Sequence, residues 1–290
     1  MGLHRPHVTA TDVPAKKGRL PPISCLNRTA MMHLIDRYFI KQPKLRRFVT
    51  RLLEGDRELD VPLLGTALRV HSIKEHGYLR SSRLASRSAL FREELPVMIN
   101  LAALLSDGDT FVDIGANVGI YSLTLARLHR INPKMCFYAF EANPDTFARL
   151  SVHAPDLGVR AYNVALSDHD GTLEFVPGAV SNVFTTVGNA SDYSILDTRV
   201  SVPCRRLDEM EITGNSLVLK IDVEGQEREV LDGAAALFQA QRIKAVYLDG
   251  YKDPGIEPLL RGYGFTFVDG KTLEPTAGSV FNLLALRNHT

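Results

Sequence analysis

An acid followed by small residues at regular spacing gives the first candidate for chemistry: Asp113, Gly115, Asn117 and Gly119. The apolar run 111–114 predicts the end of a buried strand before this turn, and residues 123–130 predict a helix after it. Open α/β sheets bind nucleotide-like ligands at such a turn, at the carboxyl edge of the sheet. A carboxylate there would repel a pyrophosphate and attract an ammonium group. The motif therefore indicates a cationic, phosphate-free ligand, although a purely structural turn has the same pattern.

A second acid, Glu141, follows the next apolar run, 135–140, and precedes Asn143 and a helix expected from about Asp145. In doubly wound folds the acid at the tip of the second strand binds ribose hydroxyls, because a carboxylate accepts several hydrogen bonds at once. The alternative is a surface acid favoured by the dipole of the following helix. The turn that contains Asp113 favours S-adenosylmethionine over NAD, because S-adenosylmethionine carries a sulfonium and an ammonium and has no phosphate.

Two later segments bring further groups to the same edge. Residues 159–164 predict a third strand, after which Ala165 and its neighbours would wall an adenine ring. Residues 216–221 predict a later strand that ends in Asp222 and Glu224. Acids gathered at one edge repel one another, so that stability alone does not explain them.

These acids are the candidates for catalysis. We expect Asp222 or Glu224 to accept the proton of an acceptor hydroxyl, because an alcohol is a poor nucleophile at neutral pH. Lys220, His71 and His76 are alternatives. Lys220 could instead point outward from the end of its strand, and the two histidines could be surface or hydrogen-bonded residues without a catalytic role. Two acids alone do not make a site for a hard divalent cation, and the three cysteines show no metal-ligand spacing. We therefore predict no metal.

Four ordered motifs resemble those of the FkbM family of S-adenosylmethionine-dependent methyltransferases: Phe-Val-Asp-Ile-Gly-Ala-Asn-Val-Gly (111–119), Phe-Glu-Ala-Asn-Pro (140–144), Asn-Val-Ala-Leu-Ser-Asp (163–168) and Leu-Lys-Ile-Asp-Val-Glu-Gly (219–225). The resemblance runs from about residue 90 to 286, and its one small departure is Ala142, where the family usually has proline. It implies that S-adenosylmethionine is the cofactor. The residues expected to contact it are Asp113, Gly115, Asn117, Gly119, Glu141, Asn143, Ala165 and Asp222.

The fold implied by this resemblance is the α/β class I methyltransferase fold, a Rossmann-like seven-stranded sheet whose last strand is antiparallel. Residues 263–268 and 280–286 would form its closing hairpin. We expect three regions: a basic flexible tail (1–27), a helical and hairpin extension (28–105) and the cofactor-binding domain (106–290). In the extension the patterns predict two short helices within 30–53, a hairpin over 58–72 and a helix over 83–105 that Pro96 would bend or interrupt. Extended segments at 173–176, 183–186 and 199–204 predict an insertion that covers the cofactor.

The charge is unevenly distributed along the chain. The net charge of +1 gives no nucleic-acid signature, but residues 1–53 hold eleven Lys or Arg and two acids. This basic region predicts a disordered tail, with an acidic partner or a membrane surface as the alternative. No apolar run reaches the roughly 20 residues that span a bilayer, and no secretion signal is recognisable. We therefore expect a cytoplasmic protein.

The resemblance implies an O-methyltransferase, and its relatives methylate hydroxyls of sugars and polyketides. Our first expectation is a sugar hydroxyl in a glycolipid or oligosaccharide, including 2-O-methylation of fucose in nodulation factors. A polyketide or another secondary metabolite is the alternative acceptor. Two other classes stay open: a nucleotide-sugar or NAD enzyme, against which the missing G-x-G-x-x-G counts, and a non-catalytic cofactor-binding module. The patterns do not predict the oligomeric state.

Overall fold

The computed structural model describes residues 43–84, 89–130, 134–177, 184–186, 199–278 and 281–288. The chain divides into two compact units, Met1–Val49 and Thr50–Thr290. The tail predicted over 1–27 and the first of the two predicted short helices lie outside the described residues. The second of these helices, α1, is confirmed: it spans Pro43–Glu54 and begins at the proline. The predicted region boundaries at residues 27 and 105 stay predictions.

A hairpin and two helices follow α1. Strand β1 (Glu58–Leu63) pairs antiparallel with β2 (Thr66–His71), which confirms the predicted hairpin. Helix α2 spans His76–Leu84 and α3 spans Ala89–Leu104. The helix predicted over 83–105 corresponds to α3, while most of α2 was not predicted. Pro96 lies inside α3 and does not end it, contrary to one of the two expected effects.

Buried polar contacts attach this extension to the sheet region. The guanidinium of Arg149 is 3% exposed and lies 2.8 Å from the fully buried carboxylate of Glu75, between β2 and α2. The side-chain amide of Asn100 on α3 donates to the carbonyls of Gly270 and Lys271 at 2.8 and 3.0 Å. A buried ion pair is strongly destabilised when one partner is removed. The ion pair therefore fixes the segment between β2 and α2, and the contacts of Asn100 hold α3 beside the sheet.

The first part of the sheet contains strand β3 (Asp109–Ile114), helix α4 (Ile120–Leu128), strand β4 (Cys136–Phe140), helix α5 (Pro144–His153) and strand β5 (Val159–Tyr162). All six residues of β3 are buried, as is typical of a parallel strand covered on both faces. Helix α4 begins three residues before the predicted start at 123. The third strand ends at Tyr162, two residues before the predicted end.

A second sheet is inserted after β5. Its strands are β6 (Ala165–Leu166), β7 (Gly171–Pro177), β8 (Phe184–Thr186) and β9 (Val200–Arg205). In the described ranges these four strands follow the order β6-β9-β7-β8, with only the β6–β9 pair parallel. The prediction of three extended segments here is confirmed. Ala165, which was expected to follow the third strand directly, belongs to this second sheet.

The remaining elements complete the main sheet: strand β10 (Ser216–Ile221), helices α6 (Glu227–Asp232) and α7 (Ala235–Gln239), strand β11 (Ile243–Gly250), helix α8 (Ile256–Gly262), and strands β12 (Phe265–Asp269) and β13 (Phe281–Arg287). Among the described residues the sheet has seven strands in the order β12-β13-β11-β10-β3-β4-β5. Strand β13 is antiparallel to both neighbours, and the other observed pairs are parallel. The predicted seven-stranded α/β fold is confirmed, and the carboxyl ends of β4, β3, β10 and β11 lie side by side.

Membrane contact was left open for the basic region 1–53, of which residues 1–42 lie outside the described residues. In the ranges that the structure describes, no helix has both the length and the apolar character needed to cross a bilayer.

Candidate active site

The glycine-rich turn between β3 and α4 is fixed by backbone contacts. The N–H groups of Gly115 and Ala116 both donate to the carbonyl of Phe140 at 3.0 Å. Gly115 has φ +73°, and a Cβ on it would lie 1.9 Å from the backbone oxygen of Asp222. Both the left-handed backbone and the close approach require glycine. The turn thus joins the ends of β3, β4 and β10 into one surface.

Glu141 follows β4 and contacts this turn. Its Oε2 accepts the N–H of Asn117 and its Oε1 accepts the N–H of Asn143, both at 2.8 Å. Burial raises the pKa of Glu141 to about 7, although the two N–H groups favour the ionised form. Each carboxylate oxygen has a second lone pair. Glu141 lines the cavity described below and can therefore accept hydrogen bonds from hydroxyls of a ligand.

Asp113 lies beneath the cavity and already has a cationic partner. It is fully buried, its Oδ2 accepts the N–H of Ser122 at 3.0 Å, and its Oδ1 is 3.3 Å from Nζ of Lys220. The same Nζ donates to the carbonyl of Gly115 at 2.9 Å and to Oδ2 of Asp222 at 3.3 Å. The expected contact of Asp113 with an ammonium group is therefore made within the protein, by Lys220. Burial alone would lower the pKa of Lys220, but the two carboxylates outweigh it and raise that pKa.

Further acids lie on the other side of the turn. Asp222 and Glu224 follow β10, and Asp249 is near the end of β11. Glu94 reaches the same region from α3. Burial and the neighbouring carboxylates raise the pKa of Asp249 and of Glu224. The same two causes raise the pKa of Glu94 to about 7.

These groups line one cavity of about 260 Å³ at the carboxyl edge of the sheet. Apolar walls come from both sheets and include Phe140, Val164, Ala165, Leu173 and Phe175. The charged residues that line it are Glu94, Glu141, Asp222, Glu224, Asp249 and Lys220. Within the described ranges the lining thus has five carboxylates and one ammonium group. The arrangement can bind a partly apolar ligand with hydroxyl groups and a positive charge.

The predicted site residues divide into two groups. Those that line the cavity are Gly115, Asn117, Glu141, Ala165, Asp222 and Glu224. Asp113, Gly119 and Asn143 do not line it. Gly119 precedes α4 with φ +88°, where a Cβ would lie 2.5 Å from a side-chain carbon of Leu150. The side chain of Asn143 caps α5 by accepting the N–H groups of Asp145 and Thr146, and its own N–H binds Glu141.

The alternative catalytic residues have different positions. Lys220 lines the cavity, whereas His71 and His76 do not. Nδ1 of His71 accepts the N–H of Ile73 at 3.3 Å, and its Nε2 is 3.3 Å from a carboxylate oxygen of Asp56. For both histidines the structural explanation agrees with the contacts. Among the described residues no group of three or more His, Cys, Asp or Glu side chains has the geometry to hold a metal ion.

Sequence reasoning missed several lining residues: Tyr78, Glu94, Tyr121, Gln226 and Asp249. A signal existed for Asp249, because it is an acid near the end of a strongly apolar strand, as Asp222 is. Glu94 gave no such signal, because it is one of two adjacent acids on a helix before the first sheet strand.

Comparisons with known proteins agree with this geometry. The chain matches the methyltransferase FkbM domain over residues 113–267, more than half of its length. It is 28% identical over 169 residues to the hexuronic acid methyltransferase AglP of Haloferax volcanii, which is 56% of this chain and 65% of AglP. It is 29% identical over 199 residues to the 31-O-demethyl-FK506 methyltransferase FkbM of Streptomyces tacrolimicus, which is 57% of this chain and 75% of that protein. The match therefore spans less than two thirds of AglP.

A solved structure of methyltransferase FkbM from Methylobacillus flagellatus has a TM-score of 0.41 and 14% identity, and the match covers 73% of this chain and 53% of that one. The domain match begins at Asp113 and includes the glycine-rich turn, Glu141, Asp222 and Glu224. The chain belongs to the FkbM methyltransferase family.

Proposed function

We propose that this protein is an S-adenosylmethionine-dependent O-methyltransferase that acts on a sugar hydroxyl in a glycolipid or oligosaccharide. The observation that carries the proposal is the cavity, in which a glycine-rich backbone turn, the Glu141 carboxylate and apolar walls meet a group of acids. Family membership supports methyl transfer. The choice of a sugar acceptor rests on analogy with the hexuronic acid methyltransferase, and the charge of the cavity bears on whether that acceptor is neutral.

The charges of the cavity fit the cofactor. Five carboxylates and one ammonium group line it in the described part of the chain, and the ammonium group of Lys220 is already paired with Asp113 and Asp222. This balance disfavours the pyrophosphate of NAD and favours a sulfonium and an ammonium. Glu141 would accept hydrogen bonds from the ribose hydroxyls, and the apolar wall that includes Ala165 would contact the adenine.

When bound, S-adenosylmethionine supplies an electrophilic methyl group on sulfur. The chain's own contribution is position, exclusion of water and a proton acceptor. Holding two reactants in line contributes up to roughly 7–11 kcal/mol to such a displacement. The roles that we predicted for Asp222 and Glu224 toward the acceptor hydroxyl stay proposals, and both side chains line the cavity as those roles require.

The charge of the cavity also bears on the acceptor. AglP is named as a methyltransferase of hexuronic acid, and the Streptomyces relative as one of 31-O-demethyl-FK506. Four carboxylates, those of Glu94, Asp222, Glu224 and Asp249, would repel an ionised uronic acid. We therefore propose a neutral sugar hydroxyl, of which the 2-hydroxyl of fucose is one example. A polyketide hydroxyl is the second candidate, because it is also neutral.

Two measurements test this function. In calorimetry, S-adenosylmethionine and S-adenosylhomocysteine should bind the full chain and NAD should not. The protein should then transfer a labelled methyl group from S-adenosylmethionine into one fraction of an extract from the cells that make it. Mass spectrometry of that fraction identifies the acceptor. Binding of NAD alone would reject the proposal, and cofactor binding without transfer into any fraction would support a non-catalytic module.

A further inference from the structure

Glu94, an acid on helix α3, lines the cavity and is not part of the sequence motifs. Glu94 is half-buried and lines the cavity, whereas the preceding residue, Glu93, faces outward and pairs with Lys271. Six residues further along the same helix, Asn100 donates to the carbonyls of Gly270 and Lys271 and fixes the helix there. Glu94 lies before the residues that match the family domain.

The carboxylate of Glu94 is open to the cavity. It forms no ion pair and accepts no side-chain hydrogen bond from any residue in the described ranges. The ionisable groups that act on it, or that it acts on, come from five other elements: Tyr78 of α2, Asp113 of β3, Tyr121 of α4, Lys220 and Asp222 at β10, and Asp249 of β11. Burial and then Asp249 raise the pKa of Glu94 to about 7, and Lys220 opposes them.

Asp222, Asp249 and Glu224 are less suited to accept a proton, and Glu141 is assigned to the ribose hydroxyls. Nζ of Lys220 lies 3.3 Å from Oδ2 of Asp222, so that this carboxylate already has a partner within the protein. Asp249 accepts a hydrogen bond from the hydroxyl of Tyr247 at 3.0 Å. Glu224 lines the cavity but is exposed to solvent. A general base works best when its pKa is close to the working pH, provided that it reaches the reacting group.

We propose that Glu94 is the catalytic residue that accepts the proton of the acceptor hydroxyl during methyl transfer. This inference rests on the proposed function, and it assigns to Glu94 the proton-accepting role that the sequence predicted for Asp222 or Glu224. The acceptor oxygen forms a bond to the methyl carbon, and the electron pair of the broken carbon–sulfur bond stays on sulfur. The hydroxyl proton moves to the Glu94 carboxylate, which later releases it to water. Asp222 then acts as a positioning residue through Lys220 and the turn.

The first test compares E94Q with E93Q, the same substitution one position earlier on the exposed side of α3. With the acceptor fraction identified by methyl labelling, E94Q should lower kcat at least about 100-fold, the usual contribution of a general base. E93Q should keep kcat within threefold of the unsubstituted protein. E94D should recover part of the lost rate. Calorimetry should show an S-adenosylhomocysteine Kd within threefold in all variants, as expected for a residue that acts on the acceptor.

The second test is the pH profile of kcat, which a merely structural role would not change. The unsubstituted protein should lose activity as the pH falls below about 7, and E94Q should lack this acidic limb. D249N removes the carboxylate that acts most strongly on Glu94, and the limb should move to lower pH. Infrared difference spectra between the unsubstituted protein and E94Q, recorded without acceptor, should show the same carboxyl group titrating.

Several outcomes would overturn the inference: E94Q with kcat within threefold, an acidic limb that persists in E94Q, or loss of cofactor binding equal to the loss of rate. These results leave the proposed function intact, because the unsubstituted protein still transfers methyl groups. Absence of any labelled product with the unsubstituted protein would overturn both, since the base has no role without the reaction.

Discussion

The two sides of the cavity are built differently. We call Gly115, Asn117 and Glu141 the glycine-turn side, and Glu94, Asp222 and Asp249 the acidic side. On the glycine-turn side, backbone groups fix the site, because the turn donates to Phe140 and Glu141 accepts two backbone N–H groups. On the acidic side, carboxylates at α3, β10 and β11 line the same cavity, and in the described ranges Lys220 is the one cation among the lining residues.

The different construction of the two sides indicates that they bind different ligands. A site that is fixed by backbone contacts suits the cofactor, which is the same ligand for every relative. The family domain match includes all three residues of the glycine-turn side. The acidic side includes Glu94, and Tyr78 also lines the cavity; both lie before residue 113, where that match begins. We infer that the glycine-turn side holds the cofactor and that the acidic side, which combines family residues with residues of the extension, meets the acceptor. The predictions below test this division.

The largest effect is expected for E141A. Hydrogen bonds to a charged group contribute about 1.5–3 kcal/mol each, and the alanine removes the acceptor for two ligand hydroxyls. S-adenosylhomocysteine should bind at least 100-fold more weakly in calorimetry, while E209A, which removes an acid outside the cavity lining, should not change binding. Circular dichroism checks that E141A is folded, and E141Q serves if it is not. Unchanged affinity in a folded variant would reject the assignment of the cofactor to this side.

A second prediction tests whether the turn depends on its backbone. Gly115 and Gly65 both have left-handed φ angles, of +73° and +78°, but only a Cβ at Gly115 meets another atom. The left-handed conformation costs an alanine roughly 1–2 kcal/mol, and overpacking adds about 1–3 kcal/mol. In urea denaturation G115A should therefore lose more free energy of unfolding than G65A by about 1–3 kcal/mol. Equal losses would show that the turn tolerates movement at Asp222.

The glycine-turn side could be predicted from the sequence because its signals are local. Gly115 and Glu141 each directly follow an apolar run that became a buried strand, as Asp222 does on the acidic side. The cap formed by Asn143 also had a local signal, an asparagine followed by proline and an acid. Most of the sheet strands were predicted within two residues for the same reason.

The partner of Asp113 could not be predicted, because it depends on strand register. Asp113 of β3 lies opposite Lys220 of β10, and the two are more than 100 residues apart in the sequence. A shift of the register by one residue would turn Lys220 to the other face of the sheet. Glu94 depends in the same way on the packing of α3. Asp222 was predicted from the end of its strand, but its contact with Lys220 and the place of Glu94 beside it become visible only in three dimensions.

A third prediction concerns D222N, which keeps the shape of the side chain and removes its charge. Asp222 lies at the boundary between the two sides and contacts Lys220. If its role is to position the reacting groups, kcat should fall at least about tenfold, which corresponds to about 1.4 kcal/mol. The affinity for S-adenosylhomocysteine should stay within threefold. Equal losses in initial rates and in calorimetry would instead make Asp222 a cofactor contact and move it to the glycine-turn side.

The smallest expected effect is on stability and concerns Glu94. Its pKa is about 7 in the folded protein and 4.5 in the reference state of an unfolded chain. Between these values the folded protein binds more protons than the unfolded chain, so that ionisation of Glu94 lowers stability as the pH rises toward 7. E94Q removes this cost and should be more stable than the unsubstituted protein at pH 8, by an amount on the order of 1 kcal/mol. At pH 5, where Glu94 is protonated in the folded protein, the gain should be smaller.

Urea denaturation at both pH values measures the difference, with E93Q as the control. A gain that is equal at pH 5 and pH 8 would show that Glu94 is solvated like a surface acid. The acidic side would then lack the unpaired, desolvated carboxylate that distinguishes it from the glycine-turn side.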